Sequence, residues 1–344
     1  TAELRDGEIA VTTSTRPTVR IVALGGTIAA VPRAPGQAAT MDLDADDLVR
    51  ALPGLSGIAD ISADTFRQTG SADLGLADIA ALAAHIDRLA RDGIGGVVVT
   101  QGTDTMEETA YLLDRLVNAD LPVVVTGAMR GTGVPGADGP ANLIAGVRVA
   151  ASAQARDMGV LVVMNDAIHL ARSVRKGHAT SPSTFESPLL GPVGWAAEDR
   201  VRIPLIPRRR LRRFTIANPA SPPQVALLTL SLGDTPRLIQ AVGSRDFDGA
   251  VIAAYGAGHT SQRVLDGLGA LADRMPTVFA SRTGVGETHT RSCDFPGSEL
   301  RLLERGLIPA YALDPLKARL LLILLLTEGA SRETIQAEFA AEND

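Results

Sequence analysis

The chain has 344 residues, 45% of them hydrophobic and 21% charged, a balance typical of a globular protein long enough for two domains. Its net charge of −6 gives no general attraction to nucleic acid, and its single cysteine excludes an internal disulfide framework. The longest apolar run, Leu320–Leu326, is far shorter than the roughly 20 residues that span a bilayer, so no membrane partner is expected. No signal-peptide pattern begins the sequence, which favours a cytoplasmic protein and leaves open a secreted or periplasmic protein whose signal was removed.

The first half of the chain alternates β-branched strands with amphipathic helices. Residues 1–17 lack this periodicity and are predicted to form a loose arm. The predicted strands are Val19–Leu24, Gly96–Thr100, Pro122–Thr126 and Val160–Met164, and the predicted helices are Asp44–Leu52, Leu76–Arg91, Met106–Asn118 and Asp138–Ala153. After the first strand, Val31–Thr40 is rich in proline, glycine and alanine, which predicts a mobile loop. The alternation favours a parallel sheet built from right-handed βαβ units.

A segment rich in arginine and proline interrupts this alternation. Arg208–Arg213 holds five arginines among six residues, and several prolines follow it. Because the chain is negatively charged overall, a solvated or subunit-facing linker is favoured over a nucleic-acid patch.

Beyond this segment the alternation of strands and helices returns in shorter form. The predicted strands are Val225–Leu230, Ala250–Ala254 and Thr277–Ala280, and the predicted helices are Gln262–Leu271, Ser298–Arg305, Pro315–Thr327 and Arg332–Phe339. The sequence therefore predicts an α/β fold with a large N-terminal parallel-sheet domain and a smaller C-terminal α/β domain. Their predicted bounds are residues 18–204 and 224–344, joined by a linker over residues 205–223.

One junction between a strand and a helix concentrates polar side chains. Val97–Val99 form an unbroken β-branched run, as expected of a parallel strand buried on both faces. Thr105 followed by Glu108 fits a capping box, which predicts a helix beginning at the next residue. Thr103 and Asp104 would then lie beyond the carboxyl end of the strand, where open α/β sheets bind ligands. The alternative is an ordinary turn, since turns also favour glycine, threonine and aspartate.

Further reactive groups follow other predicted strands. Thr27 comes after a Gly-Gly pair at the end of the first strand, Ser71 follows Gly70, and Lys176 lies shortly after the fourth strand. A threonine hydroxyl is a poor nucleophile until a base takes its proton, and a desolvated lysine can do so while a carboxylate orients it. Only two of the 33 basic residues are lysines, Lys176 and Lys317, and Lys317 lies on an ordinary predicted helix. Threonine, lysine and aspartate could thus serve as nucleophile, base and orienter without a histidine, if the fold brings them together.

Two other patterns favour structural roles. Gly131–Gly136 matches the spacing of a dinucleotide-binding loop, but Pro135 lies inside it and no acidic residue follows at the required distance. A flexible loop is therefore favoured there. The five histidines show no paired spacing typical of metal ligands, so surface or core roles are favoured for each. No metal or organic cofactor is expected.

Six segments carry a resemblance to a known family: Gly25–Ala29, Gln101–Ala110, Gly127–Arg130, Ala137–Leu143, Val174–Lys176 and Gly191-Pro192. The chain resembles the bacterial-type L-asparaginase (asparaginase/glutaminase) family over nearly its whole length. The second segment, QGTDTMEETA, is the most specific of these motifs. The resemblance implies a homotetramer built as a dimer of intimate dimers. Each active site is then expected between the N-terminal domain of one subunit and the C-terminal domain of a neighbour.

The resemblance also implies catalytic roles for four residues of this chain. Thr27 matches the nucleophile of the family, and Thr103, Asp104 and Lys176 match its second threonine, its aspartate and its lysine. The implied reaction converts L-asparagine to L-aspartate and ammonia through a threonine acyl-enzyme. The implied partner is therefore a small amino-acid amide.

A second set of residues is expected to bind the substrate. Ser71 matches a serine that holds the α-carboxylate of the substrate, and Asp104 would also hold the α-amino group. Gly70 and Gly102, which precede Ser71 and Thr103, complete the predicted substrate-binding set.

Several positions depart from the family pattern. The loop Val31–Thr40 lacks the tyrosine that normally assists the nucleophile, and Ala72 replaces the usual glutamine after the matched serine. Gly256–His259 lacks the usual asparagine that a neighbouring subunit contributes. Leu24 and Gln101 replace a usual threonine and a usual histidine. The substrate clamp is therefore thinner than in the family, while the implied hydrolytic set is complete.

Three rival functions remain open. The nearest is hydrolysis of a related amide, such as L-glutamine, D-asparagine or a small peptide amide. Another is a weakly active paralogue that binds a small amino acid. A third is a phosphate- or nucleotide-binding module that uses the glycine turns at helix N-termini, and the lack of a Walker lysine makes it the least favoured.

Overall fold

A computed structural model describes residues 16–32, 39–41, 43–208, 211–216 and 218–342 of the chain. In these ranges the strands are β1 (Thr18–Ala23), β2 (Ala30–Pro32), β3 (Ala39–Met41), β4 (Asp60–Thr65), β5 (Gly96–Thr100), β6 (Val123–Thr126), β7 (Val160–Met164), β8 (Ala167–Leu170), β9 (Arg175–Lys176), β10 (Phe185–Glu186), β11 (Gly194–Ala197), β12 (Arg200–Arg202), β13 (Val225–Thr229), β14 (Gly249–Ala254), β15 (Thr277–Ser281) and β16 (Ile308–Pro309). The helices are α1 (Ala45–Arg50), α2 (Leu76–Arg91), α3 (Met106–Leu116), α4 (Gly139–Ala151), α5 (Arg237–Gly243), α6 (Gln262–Arg274), α7 (Glu299–Glu304), α8 (Pro315–Thr327) and α9 (Arg332–Ala341). Most of the predicted arm over residues 1–17, and most of the predicted loop Val31–Thr40, lie outside the described residues.

Within the described part of the chain, eight strands form a large sheet in the order β12-β11-β8-β7-β6-β5-β1-β4. The strands β4, β1, β5, β6 and β7 are parallel, as the alternation of strands and helices predicted. The strands β8, β11 and β12 extend the sheet in antiparallel pairing. Ala23 of β1 pairs with Thr65 of β4 and with Thr100 of β5. The segments that follow β1, β4, β5 and β6 therefore leave the sheet at one edge, side by side.

Helices cover both faces of this sheet. Val97 and Val99 of β5 pack in the same apolar core as α2 and α3, whereas Val98 packs on the opposite face with α4. All three valines are 0% exposed. Burying a valine side chain contributes about 1.5–3 kcal/mol. The prediction of a strand buried on both faces is confirmed.

The C-terminal part of the chain builds a smaller parallel sheet in the order β13-β14-β15-β16. Helices α5, α6 and α7 cover one face, and helices α8 and α9 cover the other. The run Leu320–Leu326 in α8 is apolar all round because this helix packs against the smaller sheet and also against α3. Leu113 of α3 and Leu321 of α8 belong to one apolar core, which the two domains share. The predicted fold class is confirmed.

The arginine-rich linker is bound to the rest of the chain where it is described. Phe214 is buried, and its N–H donates a hydrogen bond of 2.7 Å to the carbonyl oxygen of Arg115. Arg212 forms ion pairs with Glu328 at 2.6 Å and with Glu338 at 2.7 Å. Part of the arginine run is therefore engaged with carboxylates of this chain.

The lengths of the described helices show whether any of them could cross a membrane. The longest of them, α2, has 16 residues, and none in the described ranges is both long and apolar enough to cross a bilayer.

Candidate active site

The turn after β1 packs directly against the turn after β5. Gly25 and Gly26 have φ angles of 97° and 87°, in the left-handed region that favours glycine. A side chain at Gly26 would overlap the backbone of Gly102, so only glycine permits this close approach. Thr27 and Thr103 follow Gly26 and Gly102 in the sequence. They therefore begin neighbouring segments at the same edge of the sheet.

Ser71 lies on another side of Gly102. A Cβ atom added to Gly102 would lie 2.8 Å from the hydroxyl oxygen of Ser71, and Ser71 is only 4% exposed. Gly70 precedes it in extended backbone and leads into a short 3-10 helix. The hydroxyl of Thr105 donates a hydrogen bond of 2.8 Å to the carbonyl oxygen of Ser71. The segments after β1, β4 and β5 thus meet around Gly102.

The predicted capping box at Thr105 and Glu108 is wrong. Helix α3 begins at Met106, as predicted, but no side chain caps its N-terminus. The hydroxyl of Thr105 is instead used in a tertiary contact with Ser71, 34 residues earlier. The sequence does not distinguish a local capping box with Glu108 from this long-range contact, because both need a hydroxyl at position 105.

Thr27 is half-buried and begins a short 3-10 helix. Its methyl carbon lies 4.0 Å from the point that a Cβ atom on Gly131 would occupy. The hydroxyl of Thr132 donates a hydrogen bond of 3.4 Å to the carbonyl oxygen of Ile28. The glycine-rich loop after β6, whose spacing matches a dinucleotide-binding loop, therefore lies beside Thr27.

Lys176 reaches this sheet edge from strand β9. Its ammonium donates hydrogen bonds to Thr103 Oγ1 at 2.9 Å and to Asp104 Oδ1 at 2.7 Å. Thr103 is 7% exposed, whereas the Asp104 side chain is 76% exposed, so one partner is shielded and the other faces solvent. The structure thus joins three of the predicted residues in one hydrogen-bonded group, although Lys176 is more than 70 positions from the other two in sequence.

A second lysine, fully buried, lies behind Lys176. The ammonium of Lys317 donates hydrogen bonds to the carbonyl oxygen of Val174 at 2.7 Å and to Asp314 Oδ2 at 2.9 Å. Glu107 Oε2 lies 3.6 Å from the same ammonium. Glu107 Oε1 accepts a hydrogen bond of 3.3 Å from the backbone N–H of Lys176. These charged groups connect α3 and α8 to the strand that carries Lys176.

The expectation that Lys317 is an ordinary helix residue is wrong. Its side chain is 0% exposed and contacts two carboxylates, those of Asp314 and Glu107. Burial raises the pKa of Glu107, and the Lys317 ammonium opposes that rise. The sequence held one signal for this site, since Lys317 is one of only two lysines and lies in a helix whose only other charged residue is Arg319.

The structure also shows where the positions that depart from the family pattern lie. Gln101 is buried, and its amide donates a hydrogen bond of 3.1 Å to the carbonyl oxygen of Gly102. Leu24 is 1% exposed, whereas Ala72 is exposed. The three tyrosines are Tyr111 in the core of the larger domain and Tyr255 and Tyr311 in the smaller one.

Comparisons with known proteins cover both domains. The family model described as Asparaginase, N-terminal matches residues 18–207, and the model described as Glutaminase/Asparaginase C-terminal domain matches residues 224–339. L-asparaginase 2 of Bacillus subtilis is 36% identical over 332 residues, which cover 94% of this chain and 86% of that relative. L-asparaginase 2 of Escherichia coli is 34% identical over 333 residues, which cover 94% of this chain and 92% of the relative.

A solved structure agrees with these sequence matches. The probable cytoplasmic L-asparaginase from Campylobacter jejuni superposes with a TM-score of 0.84 at 33% identity, covering 94% of this chain and 99% of that one. Both family models and several relatives above 30% identity thus span nearly the whole chain. The protein belongs to the asparaginase family of amidohydrolases.

Proposed function

We propose that this protein hydrolyses L-asparagine to L-aspartate and ammonia, with Thr27 as the nucleophile. The observation that carries this proposal is the hydrogen-bonded group of Lys176, Thr103 and Asp104 beside the turn that presents Thr27. Membership of the family supports the reaction class, because the similar chains of B. subtilis and E. coli are L-asparaginases.

In the first step, the hydroxyl oxygen of Thr27 attacks the carbon of the side-chain amide and gives up its proton. The carbon–nitrogen bond then breaks, and the nitrogen takes up a proton and leaves as ammonia. A β-aspartyl ester on Thr27 remains. Backbone N–H groups of the turns at Gly26 and Thr103 would stabilise the negative charge that develops on the amide oxygen.

In this mechanism, Lys176 is the base. In its deprotonated form, the Lys176 amine would accept a proton from the hydroxyl of Thr103, whose oxygen lies 2.9 Å from Nζ, and Thr103 would in turn take the proton that Thr27 gives up. The carboxylate of Asp104, 2.7 Å from the same nitrogen, would hold the ammonium that results. In the second step, water attacks the ester, releases L-aspartate and restores the Thr27 hydroxyl. These steps use side chains, backbone groups and water.

The proposed substrate contacts surround Gly102. The exposed carboxylate of Asp104 suits the α-ammonium of an amino acid, and the Ser71 hydroxyl suits its α-carboxylate. Gly70 and Gly102 would let the substrate approach the backbone there. Ala72 adds no hydrogen-bonding group next to Ser71, and this gap favours a second candidate function. That candidate is hydrolysis of a related amide, namely L-glutamine, D-asparagine or a small peptide amide.

We also propose a homotetramer built as a dimer of dimers, with subunit domains over residues 18–204 and 224–344 and a linker over 205–223. Leu189, Leu190 and Trp195 are each at least half exposed, and a subunit interface would cover such large apolar side chains. Light scattering of the purified protein checks this assembly, and a monomeric mass at assay concentration would contradict it.

The test of the function is ammonia release by the purified protein from L-asparagine, L-glutamine, D-asparagine and β-aspartyl amides. The matched control is the Thr27→Ala variant, purified and assayed in the same way. We expect release from L-asparagine to exceed that from the other amides and to depend on Thr27. Faster release from another amide would establish the second candidate. Binding of L-asparagine without release from any amide would instead identify a binding paralogue.

A further inference from the structure

The only cysteine of the chain lies beside a histidine and a buried glutamate in the smaller domain. The sulfur of Cys293, one ring nitrogen of His259 and one carboxylate oxygen of Glu299 all lie within 4.8 Å of one another. His259 Nε2 and Glu299 Oε2 are 3.2 Å apart. None of these three residues is among the catalytic or substrate-binding residues proposed above, and we refer to them as the His–Cys–Glu cluster.

Backbone hydrogen bonds fix the loop that carries His259. The N–H groups of Gly258 and His259 both donate to the carbonyl oxygen of Tyr255, at 2.9 and 2.8 Å, and close the loop after β14. The N–H of Thr260 donates to the carbonyl oxygen of Gly297 at 2.7 Å, which ties this loop to the segment after β15. The His259 ring is therefore presented to the segment that contains Cys293.

The imidazole of His259 packs against a phenylalanine and is partly exposed to solvent. Its ring contacts the ring of Phe295 edge to face, with centroids 5.2 Å apart. The His259 side chain is 27% exposed, so an ion could reach it from solvent. Its Nε2 atom is buried and has no hydrogen-bond partner.

Glu299 is the most deeply buried residue of the cluster, and backbone hydrogen bonds fix its carboxylate. Its side chain is 0% exposed, and its Oε1 accepts hydrogen bonds from the N–H groups of Ser292 at 2.7 Å and of Cys293 at 2.6 Å. Burial alone would raise the pKa of Glu299, but these backbone donors outweigh it and hold the pKa below its ordinary value. The other oxygen, Oε2, is buried without a hydrogen bond and faces His259. A buried carboxylate oxygen that accepts no hydrogen bond is stabilised by a cation beside it.

We propose that His259, Cys293 and Glu299 bind a zinc-class divalent cation. Imidazole nitrogen, thiolate sulfur and carboxylate oxygen are the donors that Zn²⁺ takes, at about 2.0–2.3 Å from the ion. Calcium and magnesium take oxygen donors instead, so the sulfur and the nitrogen argue against them. Three protein ligands leave the fourth tetrahedral position to water. The ion would link the loop after β14 to helix α7.

Two features explain why the sequence could not predict this cluster. His259 and Cys293 are separated by a helix and a strand, α6 and β15, and no paired spacing of ligands is present. A single cysteine also gives no local metal-binding motif. Only the parallel order of β14 and β15 brings the two segments together.

The first experiment uses the unaltered protein, freed of metal with a chelator. Because Cys293 is the only cysteine, a thiol reagent such as Ellman's reagent reports on this site alone. We expect added Zn²⁺ to slow labelling of Cys293 by at least about tenfold, since a metal-bound thiolate is blocked from reaction, and a chelator to restore the rate. An unchanged labelling rate in saturating Zn²⁺ would mean that His259 and Glu299 form an ion pair only, and would overturn the proposal.

The second experiment titrates the metal-free protein with Co²⁺ and records its absorption. We expect one Co²⁺ per chain, with a thiolate charge-transfer band in the near ultraviolet that disappears in Cys293→Ser. His259→Gln should weaken binding by at least about tenfold, because losing even an outer partner of a metal ligand costs 10- to 100-fold. His289→Gln, which removes an exposed imidazole from the same region, is the matched control and should bind as the unaltered protein does. Binding that is equal in Cys293→Ser and in the unaltered protein would contradict the site.

Discussion

The ammonium of Lys317 donates a hydrogen bond of 2.7 Å to the carbonyl oxygen of Val174, two residues before Lys176. This contact joins helix α8 of the smaller domain to the strand that carries Lys176 in the larger domain. The apolar core that the two domains share surrounds it, so the charge is shielded from water. The two lysines of the chain therefore belong to one connected segment of the structure, since Lys317 binds the backbone just before Lys176.

We expect Lys317→Met to lower the free energy of unfolding by about 3–5 kcal/mol, because it leaves the carboxylates of Asp314 and Glu107 buried beside no cation. Urea unfolding followed by circular dichroism measures the change. The matched control is Arg305→Met, which removes an exposed ion pair with Asp266 and should cost at most about 1 kcal/mol. Equal losses in the two variants would contradict a structural role for Lys317.

The second prediction separates proton transfer from charge at Lys176. Lys176→Arg keeps a positive charge near Thr103 and Asp104, but arginine does not give up a proton near neutral pH. We expect this variant to be nearly inactive in ammonia release, with an unchanged circular dichroism spectrum. Lys176→Met should be inactive as well. A kcat for Lys176→Arg close to that of the unaltered protein would reduce Lys176 to an electrostatic support.

The third prediction concerns affinity for L-asparagine. In the proposed site, Ala72 offers no side-chain hydrogen bond to the substrate. The loss of a hydrogen bond to a charged group costs about 1.5–3 kcal/mol, or roughly ten- to hundredfold in binding. We therefore expect KM for L-asparagine to lie above the micromolar range and to fall in Ala72→Gln. The control Ala72→Leu adds bulk without an amide and should not lower KM. A micromolar KM in the unaltered protein would show that other groups have replaced the missing contact.

The fourth prediction is a pH dependence of stability that is due to His169. Burial lowers the pKa of His169 to about 4, from 6.5 for an ordinary histidine. Below pH 6.5 the unfolded chain takes up a proton that the folded chain refuses, so stability is lost as the pH falls from 6.5 towards 4. We expect up to about 3 kcal/mol of this loss to disappear in His169→Gln.

Unfolding in urea between pH 7 and pH 4.5 measures that dependence. His289→Gln removes an exposed histidine and should keep the full pH dependence of the unaltered protein. If His169→Gln showed the same pH dependence as the unaltered protein, the buried imidazole would not be its source.

The residues show why much of the fold could be predicted from the sequence. The run Val97–Val99 predicts a doubly buried strand because its side chains must find apolar partners on both faces, and the structure provides them. Thr103 and Asp104 come after the carboxyl end of the same parallel strand. Their polar groups are available for other contacts because the hydrogen-bonded ladder of the sheet ends there. Helix α2 begins and ends at the predicted residues because its apolar face is regular from Leu76 to Arg91.

Other features could not be predicted because they depend on distant contacts. Lys317 and Val174 are 143 residues apart, and only the packing of α8 against α3 brings them together. The hydroxyl of Thr105 had two possible partners, the backbone N–H of Glu108 as a donor and the carbonyl oxygen of Ser71 as an acceptor, and the tertiary structure decides between them. Strand β4 is polar and only partly buried at the edge of the sheet, so its residues carry no alternating apolar pattern.

The most direct test of the proposed function is the acyl-enzyme on Thr27. The measurement is rapid quenching of the protein with excess L-asparagine, followed by mass spectrometry of the peptide that contains Thr27 and by steady-state ammonia release. We expect a β-aspartyl adduct on Thr27 in the unaltered protein, none in Thr27→Ala, and a kcat for that variant that is several orders of magnitude lower. Thr27→Ser keeps a hydroxyl and should retain measurable turnover. Near-normal ammonia release by a folded Thr27→Ala variant would contradict the assignment of the nucleophile.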